Sequence, residues 1–69
     1  MIYVFYLKCN RKGSDEIFYL WANSDNLKEW CISSVPCYFK DYGIANKLLE
    51  IVLKNKGKLT NLEILKTNK

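Results

Sequence analysis

The chain contains no histidine. Histidine is the usual general base at neutral pH and a common zinc ligand, so its absence removes the plainest routes to acid–base catalysis and to a metal centre. Glycine is scarce and dispersed, at positions 13, 43 and 57, which excludes a glycine-rich phosphate loop. No apolar run approaches the roughly 20 residues that span a bilayer, and no charged segment precedes the apolar N-terminal stretch as in a signal peptide. The expectation is a protein without a membrane segment, working in the cytoplasm of its host cell. Arginine is nearly absent: Arg11 stands alone beside ten lysines. The net charge of +4 is therefore carried by point charges and not by the planar group that reads phosphates and guanines bidentately. Cysteine occurs three times, at 9, 31 and 37, an odd number without a C-x-x-C spacing. Reduced structural thiols are expected, with no metal and no cofactor.

What is present reads as one small globular domain over residues 1–69. The chain has 69 residues, 49% of them hydrophobic and 26% charged. A fold of this size buries only about 60% of the surface its unfolded chain exposes. Its stability is correspondingly small unless another chain contributes.

Two stretches pose the main question. Residues 1–9, MIYVFYLKC, and 16–23, EIFYLWAN, read as strands, yet each is apolar on both faces. A strand with one face in water alternates apolar with polar residues. Between them NRKGSD, residues 10–15, marks a hairpin with two possible registers. A type I turn starting at Asn10 with a bulge at Gly13 pairs Asn10 with Ser14, Lys8 with Glu16 and Tyr6 with Phe18. A two-residue turn at Lys12-Gly13 pairs Tyr6 with Tyr19 and Val4 with Trp21. In the tight register one face carries Phe5, Leu7, Phe18 and Leu20, and the other Val4, Tyr6, Tyr19 and Trp21. In the bulged one Tyr6 lies beside Phe18 and Leu20 instead. Either way both faces are large and apolar, and a single helix covers one.

Residues 23–37, NSDNLKEWCISSVPC, admit two readings. Asn26 followed by Glu29 has the form of a capping box, which favours a helical turn over 24–29 and then a short strand over 30–35 ended by Pro36. The helix that follows is clearer. Ile44, Ala45, Leu48, Leu49, Val52 and Leu53 form an apolar stripe, Asp41 caps the Ile44 amide, and Lys54 and Lys56 fall in the last turn before a left-handed Gly57. This predicts a helix over 41–56. LTNLEILKT, residues 59–67, then predicts a strand with Leu62 and Ile64 on one face and Asn61 and Glu63 on the other. The fold class expected is α+β: a three- or four-stranded antiparallel sheet packed on one helix, in the order β-β-(short segment)-α-β.

Catalytic candidates are weak. Asp15 and Glu16 sit in a turn and read as solvated, Asp41 reads as a cap, and Cys37 lacks an activating base. The expectation is a binding protein and not an enzyme. The second apolar face supplies the candidate site: Tyr6, Tyr19 and Trp21, with Lys8 beside them. Large exposed apolar patches mark interaction sites, and Tyr and Trp are favoured anchors. A protein partner or a second copy of the chain would cover that face. Alternatively, residues 24–39 fold across it, with Trp30, Val35, Tyr38 and Phe39 as cover. A rival function is single-stranded nucleic-acid binding, with bases stacked on the aromatics and lysines on phosphates, as the less favoured reading.

The layout resembles the very small proteins encoded by bacteriophages and other mobile elements. Two strands precede a Trp-containing stretch, WANSD; an aromatic pair, Tyr38-Phe39, precedes a helix and final strand, ANKLLEIV and LTNLEIL. The resemblance implies a host-takeover or anti-defence factor of the anti-CRISPR kind, one that binds and blocks a bacterial protein.

Overall fold

The turn after the first strand governs how the first two strands pair. In the computed structural model, which describes residues 2–55, 57 and 59–68, strand β1 (Tyr3–Arg11) leads through a five-residue loop to β2 (Ile17–Asn23). The Ser14 N–H donates to the Arg11 carbonyl at 3.0 Å, and Gly13 has φ +81° while Lys12 does not enter the positive-φ region. That is the pattern of a type II turn, whose twist opposes that of a two-residue hairpin and splays the strands. Three more residues are needed before pairing begins. They are held by the Glu16 N–H donating to the Ser14 hydroxyl (3.1 Å) and by the Asn10 side-chain amide donating to the Glu16 carbonyl (2.9 Å).

The ladder then runs Asn10↔Ile17, Cys9↔Phe18 and Lys8↔Tyr19. Neither anticipated register forms: Tyr19 stands opposite Lys8, not Tyr6. The shift from the tight-turn register is an even number of residues, so the face partition of that register survives.

The middle segment is a strand, not a helical turn. β3 (Asn26–Ser33) pairs antiparallel with β2 through Tyr19↔Ser33, Leu20↔Ile32, Trp21↔Cys31 and Asn23↔Asn26. The capping-box reading of Asn26 and Glu29 fails because both residues lie in β3, and the turn before it is closed by Asn23. Its side-chain oxygen accepts the Asp25 N–H at 3.1 Å, closing a turn on Ser24-Asp25 that sends the chain straight back along β2. Strand 30–35 is corrected accordingly to end at Ser33.

Helix α1 (Tyr42–Lys54) begins one residue after its cap and ends earlier than expected. Asp41 accepts the Gly43 N–H at 2.8 Å, not that of Ile44. The helix stops at Asn55, whose N–H turns back to the Val52 carbonyl at 3.0 Å. Gly57 is left-handed (φ +51°), as expected of it, and Lys56 lies outside the described residues. Ala45, Leu48 and Val52, spaced along one helical face, are fully buried. They meet Leu7, Cys9, Leu20 and Ala22 from the sheet, with Phe39 and Leu59 completing the core.

Strand β4 (Leu59–Asn68) returns antiparallel to β1, giving the order β3-β2-β1-β4 and a sheet antiparallel throughout. Leu59 and Leu62 are three apart and would face opposite ways on a regular strand. A bulge between Lys8↔Glu63 and Asn10↔Thr60 puts Asn61 and Leu62 opposite Cys9 alone. Asn61 takes φ +55°, a conformation Asn tolerates better than most residues, and its side-chain amide donates to the Asn10 side-chain oxygen at 3.1 Å. The extra residue turns Leu59 to the same side as Leu62 and Ile64, against the helix.

One further contact shapes the sheet. Phe5 and Phe39 exchange both backbone hydrogen bonds, at 2.8 and 2.7 Å. The segment before α1 thus wedges against β1 beyond the end of the β1–β2 ladder. Cys37 follows the same path and donates its thiol to the Ala22 carbonyl at 3.8 Å.

Candidate functional site

Strand alternation sorts the side chains into two sets. Phe5, Leu7, Cys9, Phe18, Leu20 and Ala22 join the helix-side core, and Tyr6, Lys8, Tyr19 and Trp21 project from the opposite face. All four expected site residues therefore share one surface. Tyr6 and Tyr19 are diagonal neighbours across the β1–β2 ladder, with ring centroids 5.8 Å apart and planes tilted by 54°. Trp21 follows two residues along β2 and is 43% exposed. Cross-strand partners widen the patch: Leu65 opposite Tyr6 and Cys31 opposite Trp21.

The middle segment covers this face only in part. Tyr38 packs its ring edge-on against Tyr6, centroids 5.7 Å apart and planes at 74°. Its neighbour Phe39 points the other way and is buried in the core, as the two-residue alternation beside Phe5 requires. Trp30 packs against the helix-side core, Val35 and Trp21 are both exposed, and Val4, on the same face as Tyr6, is buried. The result is a row of three aromatic rings, Tyr19, Tyr6 and Tyr38, with Trp21 beside it. Tyr38 was missing from the expected site. Its signal was the Tyr38-Phe39 pair, in which adjacent aromatics serve opposite faces once the backbone is extended.

The charge on the face is balanced. Lys8 Nζ lies 3.4 Å from Glu63 Oε1 across the β1–β4 ladder. Such an exposed pair contributes at most about 1 kcal/mol to stability. It places a carboxylate beside the β1 lysine that neighbours Tyr6. Two further basic groups sit on the helix side: Arg11 lies 4.7 Å over the Phe18 ring and Lys66 Nζ 4.4 Å over Tyr3.

The three cysteines are dispersed, and all are free thiols. Among the described residues no group of Cys, Asp and Glu side chains gathers to hold a metal ion. Nor, among them, is any helix long and apolar enough to cross a membrane. Cys9 is buried in the core, where desolvation pushes its thiol above the ordinary value, whereas Cys31 is exposed on the open face. Iodoacetamide at neutral pH should therefore alkylate Cys31 readily and leave Cys9 untouched until the chain unfolds. Peptide-resolved mass spectrometry over a time course checks this; equal native labelling of Cys9 and Cys31 would contradict the packing. The raised Cys9 value also stabilises the fold below the ordinary thiol range. That contribution fades as pH rises through that range, because the unfolded thiol then ionises more readily.

Compared with known proteins, the chain matches no protein-family model, no curated protein and no solved structure.

Proposed function

We propose that this protein acts by stoichiometric binding of another protein through the open face of its sheet, as a binder and not an enzyme. The observation that supports this is the continuous row of Tyr19, Tyr6 and Tyr38, flanked by an exposed Trp21, on the side the helix leaves bare. Aromatic side chains bring large contact area at small cost in side-chain entropy, and interface hot spots are enriched in Tyr and Trp. The finer reading is a phage-type factor that inhibits a bacterial defence or other host protein in the host cytoplasm. It rests on the layout of the chain, two strands and an aromatic pair ahead of a helix and final strand, together with that bare face.

The Lys8–Glu63 pair disfavours the nucleic-acid alternative. A stacking platform for single strands needs free cations beside the rings, and the β1 lysine next to Tyr6 already has a carboxylate neighbour. Two measurements separate the readings. Capture from host lysate with wild-type protein and with Tyr19→Ala/Trp21→Ala should yield one partner in the first case and none in the second. The affinity for that partner should fall by at least about thirtyfold, the loss of a hot-spot contact of about 2 kcal/mol. Binding to a labelled oligothymidylate that weakens steeply with salt would instead favour the nucleic-acid reading. Capture unaffected by the double substitution would overturn the assignment of the face.

A further inference from the structure

A second surface lies on the other side of the sheet, at the C-terminal end of the helix. There α1 leaves the ends of β2 and β3 incompletely roofed, and Phe18, Trp30 and Ile32 remain only half-buried. Two open grooves flank the Trp30 side chain. One, of about 550 Å³, is walled by Arg11, Trp30, Ile32, Asn55 and Leu59. The other, of about 570 Å³, is walled by Trp30, Lys28, Ile51, Lys54 and Asn55. Among the described residues neither groove is lined by Asp or Glu, whereas Arg11, Lys28 and Lys54 rim them, all exposed. Among the described residues, β3, the strand that carries Trp30, has no neighbouring strand on its outer side.

We infer that this double groove docks an extended acidic peptide segment of a protein partner, laid along the β3 edge with apolar side chains on either side of Trp30 and carboxylates at Lys28, Lys54 and Arg11. Two features select this occupant. An unpaired strand edge offers backbone hydrogen bonds to an extended chain, and pockets beside it read alternate side chains. Groove walls of Trp, Ile and Leu reward apolar groups, while a purely basic rim selects negative charge. The surface is separate from the row of tyrosines, so it stands or falls independently of the function proposed above.

The test uses Trp30 as its own reporter. In the Trp21→Phe protein Trp30 is the only tryptophan left, and a short peptide alternating Asp with Leu is titrated against its emission. The expected result is a saturable change that weakens as salt rises. Lys28→Glu/Lys54→Glu, two substitutions of exposed side chains, should weaken it by about tenfold or more. Adding Tyr19→Ala to the reporter protein should leave it unchanged. No saturable change, an equal response to a Lys–Leu peptide, or tighter binding of oligothymidylate would overturn the inference. So would a dimer seen by light scattering without peptide that Lys28→Glu/Lys54→Glu dissociates and Tyr19→Ala does not, since a second copy would then occupy the grooves.

Discussion

Leu48→Ala should remove most of the stability of this protein, lowering its thermal midpoint by on the order of 10–30 °C. Leu48 is fully exposed to packing and not at all to solvent: it lies in the middle of the core-facing stripe of α1, against Leu7 and Leu20 in the same buried cluster. Truncating a buried leucine costs about 2–5 kcal/mol, from lost transfer energy and from the cavity left behind. At about 0.05–0.15 kcal/mol per residue, a chain of this length has a total of only about 3–10 kcal/mol to lose. In a domain this small each kcal/mol moves the midpoint by about 4–8 °C. The control is on the same helix: Leu53 is 49% exposed, and Leu53→Ala should shift stability by about 0.5 kcal/mol or less. Denaturant unfolding of both variants decides the matter. Equal losses would mean that the helix packs by a different face.

Deleting Asn61 should be nearly as damaging, while replacing it with glycine should cost only about 1 kcal/mol. The bulge at Asn61 is what brings Leu59, a buried core residue, to the same side as Leu62 and Ile64. Without the extra residue, strand alternation swings Leu59 to the open face or drags the rest of β4 out of register. Losing the burial of one leucine costs about 1.5–3 kcal/mol, to which the lost Asn61–Asn10 bond adds about 1 kcal/mol. Asn61→Gly keeps the chain length and suits φ +55° at least as well, forfeiting only that hydrogen bond. A β-branched residue such as Val at this position should fall between the two, since left-handed backbone costs it about 1–2 kcal/mol. Melting curves of the three variants should rank glycine above valine above the deletion. A deletion as stable as the parent chain would remove the bulge from the account of this strand.

The same residue shows where reading the sequence stops. LTNLEIL suggests a strand, and Leu62, Glu63 and Ile64 alternate as one should. The three-residue spacing from Leu59 to Leu62 is the only local sign of a bulge, and it acquires meaning only when a helix claims both leucines. The middle segment behaves likewise. Asn26 and Glu29 satisfy a capping pattern that the chain does not use, because β2 offers a ladder of backbone hydrogen bonds over the same residues. The hairpin register escaped for a related reason. A two-residue turn at Lys12-Gly13 was one of the two registers left open, and these residues do form a turn, but its type II twist forbids the strands from closing directly on it.

By itself the sequence determined the periodic features: the apolar stripe of α1 with Asp41 at its head, and the strand character of the stretches that become β1, β2 and β4. These follow from repeats of about 3.6 and 2 residues, which each segment carries within itself. Tertiary structure alone decided which side the helix would cover, that Tyr38 would join the aromatic row while Phe39 sank into the core, and where each strand would sit against its neighbour. Those outcomes depend on contacts between residues far apart in the chain, where one buried side chain or one inserted residue outweighs any local preference.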